Sequence, residues 1–130
     1  MSAVSLLRAL LVCVALLGCD DGPAGAADAT RVRVRNASPV ELQNLLLLFP
    51  GEERLTVGAL APGGVTGYVP VRTAYRYAYL EATIAGRRTV LQPIDYVGER
   101  PLGPGCFTYD LTVDAQERHV GIAARAEPGC

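Results

Sequence analysis

The stretch Arg31-Val32-Arg33-Val34-Arg35 decides the fold class of this chain. Apolar and charged side chains alternate strictly along it, which predicts a β-strand with Val32 and Val34 on one face and three arginines on the other. The same alternation returns in residues 106–114, with Phe107 and Tyr109 on the apolar face. Both stretches therefore predict strands that have one face in a core and one in solvent.

Further strands are predicted between and after these two stretches, separated by turn signals at short intervals. They cover residues 45–49, 54–60, 65–71, 74–85, 89–94 and 120–124. Pro62-Gly63-Gly64 is expected to join 54–60 to 65–71 as a hairpin-like connection. Seven to eight short strands favour an all-β fold, a single small β-sandwich of immunoglobulin-like or transthyretin-like architecture.

One segment is also compatible with a short helix. Ser38-Pro39-Val40-Glu41 fits a helix capping box with proline at the first helical position, so Val40–Leu48 has a helical alternative. The apolar run Leu45–Phe49 has no polar face of the kind that a surface helix needs. A strand is therefore the prediction for this segment.

The amino-terminal residues are organised like an export signal. Arg8 and the amino terminus supply the positive end, and residues 9–17 are an apolar segment. As a helix this segment reaches about 14 Å, too short for a bilayer core of about 30 Å. We expect 1–18 to be a cleaved signal peptide, 19–30 a tether, and 31–130 the β-sandwich domain. The alternative is a buried helix that begins the fold.

Leu16-Leu17-Gly18-Cys19 resembles the lipobox of bacterial lipoproteins. The resemblance implies cleavage before Cys19 and lipidation of its thiol. It also implies a location in the bacterial cell envelope, lipid-anchored at the periplasmic face of the inner or outer membrane or at the cell surface. Leu17 is bulkier than the residue usual at that position of the motif.

A second resemblance concerns the domain itself. The segments AYRYAY (74–79), QPIDYVGE (92–99) and PLGPGCFTYDLTV (101–113) are similar to those of small Gram-negative envelope lipoproteins of unknown function. Phe107 stands where that pattern has tyrosine. This resemblance implies an envelope protein and supplies no catalytic residue.

The four cysteines divide into two groups under this interpretation. Cys13 leaves with the signal peptide and Cys19 carries the lipid, so Cys106 and Cys130 remain. An even pair in an oxidising compartment predicts a disulfide. The alternative is a free thiol or an intermolecular bridge.

The composition argues against several classes of function. After residue 18 the chain has 11 basic and 13 acidic residues, a formal charge of −2, which gives no electrostatic footprint for nucleic acid. Its single histidine and single serine there are His119 and Ser38, for which we expect an exposed position and a turn or cap role. We predict no catalytic residue, no cofactor and no enzymatic activity.

Metal binding has one candidate region. Asp95 and Glu99, with Asp110 or Asp114, could supply oxygen ligands for Ca²⁺. Their spacing matches no calcium loop pattern, and a calcium site usually needs several carboxylates. No metal site is therefore predicted, and a calcium-binding or small-ligand domain is kept as the alternative function, with a hydrolase third.

The candidate binding surface is Tyr75, Tyr77 and Tyr79. Period-two spacing places all three on one face of the strand predicted over 74–85. Amphipathic rings on an outer face can bind an envelope protein or a glycan. The alternative is that the tyrosines pack under a loop or against neighbouring arginines. The sequence predicts a non-enzymatic binding or structural module, and Tyr77→Ala should weaken binding without unfolding the domain.

Overall fold

A computed structural model describes residues 29–130 of the chain. This part is all-β, which confirms the predicted fold class. Within residues 29–130 no helix is long and apolar enough to span a membrane. The eight strands are β1 (Thr30–Asn36), β2 (Leu42–Phe49), β3 (Glu53–Leu60), β4 (Val69–Val71), β5 (Tyr79–Ile84), β6 (Arg87–Leu91), β7 (Gly105–Val113) and β8 (Val120–Glu127).

The strands form two four-stranded sheets that pack against each other as a small β-sandwich. The first sheet has the order β4-β1-β7-β8 and the second has the order β3-β2-β5-β6. All pairings are antiparallel except that of β1 with β7, which is parallel. In an immunoglobulin domain of the constant type the first two strands share a sheet. Here β1 and β2 lie in different sheets, so the order differs from the immunoglobulin one.

The core lies between the sheets and takes one face of nearly every strand. Val32 and Val34 of β1 are fully buried, as the alternation predicted. Tyr109 is the largest fully buried side chain, and burial raises its pKa. The other buried hydrophobic residues are Leu42, Leu45, Leu47, Phe49, Leu60, Val71, Ala74, Ala78, Leu80, Ala82, Ile84, Phe107, Leu111 and Val120.

Residues 40–48, for which the sequence also allowed a helix, lie largely in the strand β2. Leu45, Leu47 and Phe49 of β2 point into the core, while Leu46 and Leu48 on the outer face are half-buried. Two shifts in the pairing register interrupt β2 between Leu42 and Leu46, and Asn44 there has a φ of 49°.

The predicted hairpin through Pro62-Gly63-Gly64 is wrong. β3 belongs to the second sheet and β4 to the first, so this connection crosses from one sheet to the other. Residues 63–66, which precede β4, bond to β1 outside a regular ladder: the amide of Gly63 donates to the carbonyl oxygen of Asn36, and the amide of Thr66 donates to that of Val34. The strand predicted over 65–71 is therefore shortened to β4.

Two further strand predictions were too long. The strand predicted over 74–85 begins only at Tyr79, and the one over 89–94 is β6, which ends at Leu91. Residues 72–78 and 92–104 are connections that lie at the edge of the sandwich. They matter because they carry the candidate site.

Charged side chains cover the outer face of the first sheet. Arg35 Nε lies 2.7 Å from Asp110 Oδ1, and Arg125 Nε lies 3.2 Å from Asp110 Oδ2. Arg125 Nη1 also lies 2.6 Å from Glu127 Oε1, and the guanidinium of Arg33 stacks 4.7 Å from the ring centroid of Tyr68. Partly exposed pairs of this kind stabilise a fold only modestly. Their main effect is to keep the arginine face of β1 out of the core.

The disulfide predicted between Cys106 and Cys130 is present, with a Cα–Cα distance of 5.8 Å. It joins the start of β7 to the last residue of the chain. The predicted signal peptide and the predicted lipidation site Cys19 lie outside the described residues.

Candidate functional site

Three tyrosine rings meet where two connections pack together. Tyr75 and Tyr77 come from residues 72–78, and both stack on Tyr96 from residues 92–104. The ring centroids of Tyr75 and Tyr96 are 4.4 Å apart with an interplanar angle of 13°, and those of Tyr77 and Tyr96 are 5.6 Å apart with an angle of 16°. Offset stacking at such distances is favourable beyond the area it buries. We call these three residues the tyrosine cluster.

Hydrogen bonds fix the backbone that carries the cluster. The hydroxyl of Tyr109, which lies in the core, donates to the carbonyl oxygen of Tyr75. The amide of Leu102 donates to the carbonyl oxygen of Ala74 at 2.8 Å. Both bonds attach residues 74–75 to the first sheet and to the second connection, although no sheet ladder holds them.

An ion pair between Arg76 and Glu99 joins the same two connections at the surface. Nη2 of Arg76 lies 2.9 Å from Oε1 of Glu99, and Nε lies 3.2 Å from Oε2. This fork geometry is the one that a guanidinium and a carboxylate prefer. The hydrogen bond from Arg76 lowers the pKa of Glu99, so the pair stays ionised to a lower pH than a free glutamate would. It joins the turn at Tyr96–Glu99 to residue 76.

A shallow groove runs beside the cluster. Its walls are Arg76 and Tyr77 on one side and residues 122–124 of β8 on the other. Among the described strands, β8 pairs only with β7, so its other side is a free edge. The groove thus combines an aromatic ring, a guanidinium and the backbone groups of an edge strand. Such a surface can hold a flat apolar group and donate hydrogen bonds beside it.

Tyr79 does not join the cluster. It lies on the outer face of the second sheet, where its hydroxyl donates to Oε1 of Glu81. Glu81 also accepts from Nη2 of Arg88 at 2.8 Å. The prediction that three tyrosines form one row on a single strand is therefore wrong, because β5 begins at Tyr79 and does not include Tyr75 and Tyr77. For these two, the packing matches the alternative in which tyrosines lie against a loop.

The sequence reasoning missed Tyr96, the residue on which both other rings stack. Burial raises the pKa of its hydroxyl. In the sequence, Tyr96 lies in the segment QPIDYVGE, which has no periodic pattern that would mark it as part of a binding surface. Gly98, with a φ of 79°, marks the turn that positions it.

Ser38 and His119 lie in separate hydrogen-bond systems. The hydroxyl of Ser38 lies 2.7 Å from Oδ1 of Asn36, and Ser38 is buried. His119 has a largely exposed side chain, and its Nδ1 lies 2.7 Å from Oδ2 of Asp114. Hydrogen bonds from His119 and from the backbone amide of Arg118 lower the pKa of Asp114 to about 2. No hydrogen bond of the described residues links Ser38 to His119.

The carboxylates that the sequence offered as calcium ligands do not come together in the structure. Glu99 pairs with Arg76, Asp110 pairs with two arginines, and Asp114 lies in the turn before β8. Asp95 accepts a hydrogen bond from the amide of Val97 at 3.0 Å. Across residues 29–130, no group of three or more His, Cys, Asp or Glu side chains could hold a metal ion.

Comparison with known proteins supports the fold and adds no function. No family model matches the chain, and no curated protein matches it. An NMR structure of a protein from Eubacterium rectale is similar in fold, with a TM-score of 0.53 and 13% sequence identity. The match covers 82% of this chain and 94% of that one. At this identity the similarity shows the β-sandwich fold alone.

Proposed function

We propose that this chain is a lipid-anchored protein of the bacterial cell envelope whose domain binds another envelope protein without enzymatic chemistry. The observation that carries the binding proposal is the groove between the tyrosine cluster and the free edge of β8. The sequence motif ending in Cys19 carries the proposal of the anchor.

The tyrosine cluster is suited to binding because its rings are already ordered. Tyr77 is held by stacking on Tyr96 and by its hydroxyl, which lies 3.4 Å from the carbonyl oxygen of Asp95. A side chain that is fixed before a partner arrives loses little conformational entropy on binding. Aromatic residues with this property are common among the residues that contribute most to interfaces.

The edge of β8 favours a polypeptide as the partner. An unpaired edge presents a row of amide and carbonyl groups, and an extended peptide can pair with them as an added strand. Arg76 and Tyr77 would then contact side chains of that peptide. A glycan would use the ring face of Tyr77 and leave most of the edge unpaired.

The disulfide supports the proposed location. Disulfides persist in oxidising compartments such as the bacterial periplasm and the cell surface, and are rare in the cytosol. The bond between Cys106 and Cys130 therefore agrees with export of the domain.

Site-specific photo-crosslinking in the native bacterium tests the binding proposal. A photoreactive amino acid at Ala123, in the groove, should give a discrete crosslinked protein, whereas the same group at the exposed Thr112 of β7 should not. Combining it with Tyr77→Ala should lower the yield by about tenfold, because truncating a central aromatic contact costs about 1–2 kcal/mol. The control Tyr68→Ala removes a half-buried tyrosine outside the cluster and should leave the yield unchanged.

Equal crosslinking at Ala123 and Thr112, or crosslinking to glycan alone, would contradict binding of a protein in the groove. The anchor is tested separately by intact mass of the protein extracted from its membrane. We expect the mass of residues 19–130 plus acyl groups, and loss of the acyl mass in Cys19→Ala. An unmodified chain that retains residues 1–18 would disprove the anchor.

A further inference from the structure

Two aliphatic side chains in the connection between β6 and β7 stand in solvent. Ile94 is 100% exposed and Val97 is 87% exposed. The other exposed large hydrophobic residues of the described chain, Val65 and Val90, are 45% and 38% exposed. Isolated exposed aliphatic residues are common, but two nearly bare ones three positions apart in one loop concentrate apolar surface at a single point.

The loop presents these side chains on a fixed turn. Tyr96 lies between them in sequence and is anchored in the tyrosine cluster. The amide of Val97 donates to Oδ1 of Asp95 at 3.0 Å, and the amide of Glu99 donates to the carbonyl oxygen of Tyr96 at 3.0 Å. The apolar side chains therefore project from an ordered turn, and little entropy is lost when they are buried by a partner.

The same connection lies where the chain enters the sandwich. The hydroxyl of Thr30, the first residue of β1, donates to the carbonyl oxygen of Gly103 at 2.6 Å. The amide of Gly105 donates to the carbonyl oxygen of Ala29 at 3.1 Å. Residues 20–29 are all that separate Cys19 from this end of the domain. Ten residues span at most about 35 Å, so an anchor at Cys19 limits how far this end can lie from the membrane and lets the loop reach it.

We propose that Ile94 and Val97 insert into the lipid bilayer that holds the lipid of Cys19. This inference rests on the proposed lipid anchor. Once the chain is tethered, insertion is an intramolecular step, so two small aliphatic side chains are enough to orient the domain.

The charges of the loop predict which lipids are needed. Asp95 and Glu99 are balanced by Arg76 and Arg100, so the loop has no excess of positive charge. Insertion should therefore proceed in a zwitterionic membrane and should not depend on anionic lipids. Insertion of the loop places the groove along β8 close to the membrane surface. A partner protein must therefore approach the groove near the membrane.

Quenching by nitroxide-labelled lipids tests the inference. The full lipidated protein is reconstituted into phosphatidylcholine vesicles that contain a lipid with a nitroxide near the top of its acyl chain. A fluorophore is attached through Gln92→Cys, in the same connection, or through Thr112→Cys, at the opposite end of the first sheet. Both positions are exposed.

We expect strong quenching of the label at position 92 and little at position 112. In the background Ile94→Ser/Val97→Ser the quenching at position 92 should fall at least threefold, while vesicle association through the lipid is unchanged. Equal quenching at position 92 in both backgrounds would overturn insertion but leave the lipid anchor intact. A protein whose mass lacks acyl groups would overturn both proposals.

Discussion

Asn36 is the residue whose substitution should destabilise the fold in the most specific way. It is the last residue of β1 and is fully buried at the corner where the chain leaves this strand. Its side-chain nitrogen donates to the carbonyl oxygens of Val40 and Leu60, at 2.8 and 2.9 Å, and its oxygen accepts from the amide of Ser38 at 3.0 Å. In Asn36→Asp a carboxylate replaces the donor. We expect the free energy of unfolding at neutral pH to fall by about 2–4 kcal/mol, measured by urea denaturation.

The control at this corner is Ser38→Ala. It removes the hydroxyl, which also contacts Asn36, but leaves both donated bonds of the asparagine in place. Because the hydroxyl also accepts from the amide of Val40 at 3.3 Å, a loss of about 1–2 kcal/mol is expected. If Asn36→Asp were no less stable than Ser38→Ala, the two donated bonds would not be what holds the corner.

The hairpin of β5 and β6 has a non-glycine residue with positive φ in its loop. Its two-residue loop is Ala85-Gly86, with φ values of 49° and 76°. This is the conformation of a type I′ turn, in which alanine is strained and asparagine is favoured. Ala85→Asn should raise the free energy of unfolding by about 0.5–1 kcal/mol, measured by thermal or urea denaturation.

Ala115→Asn is the matched control for this hairpin. Ala115 is equally exposed, in the turn between β7 and β8, and is not among the residues with positive φ. Its stability should stay within about 0.5 kcal/mol of the parent. A similar gain in both variants would show that backbone conformation at Ala85 is not the cause.

The elements that the sequence predicted best are those with one buried face. In β1 the alternation of arginine with valine was sufficient, because the buried positions Val32 and Val34 differ in polarity from their neighbours. In β2 the outer face is apolar too, through Leu46 and Leu48, so the letters do not alternate. The capping-box pattern at Ser38 was misleading: its hydroxyl does accept a hydrogen bond from the amide of Val40 at 3.3 Å, but the chain continues as the strand β2 and not as a helix.

The errors concern contacts between elements. Pro62-Gly63-Gly64 specifies a break in the chain, but it does not specify which sheet the next strand joins. For the candidate site, periodicity marked Tyr75 and Tyr77, whereas Tyr96 lies in a loop without any periodic pattern. Its place against the other rings depends on the path of residues 92–104, which no local pattern specifies.

The stability of the whole molecule should depend on the disulfide. Cys106 and Cys130 close a ring across a sequence separation of 24 residues. Reduction should lower the free energy of unfolding by about 2–4 kcal/mol on the loop-entropy model. Urea denaturation with and without reductant measures this, and Cys106→Ser/Cys130→Ser should be insensitive to reductant. If the parent were insensitive too, the bond would not contribute to stability.

The parallel pairing of β1 with β7 delays folding of the first sheet during synthesis. Arg35 of β1 meets its partner Asp110 across 75 residues of sequence. A ribosome adds about 5–20 residues per second, so β1 waits about 4–15 seconds for that neighbour to be synthesised. Until then its apolar face has no complete sheet to join. We therefore expect the nascent first strand to need protection by chaperones, and the first sheet to close only after β7 has been synthesised.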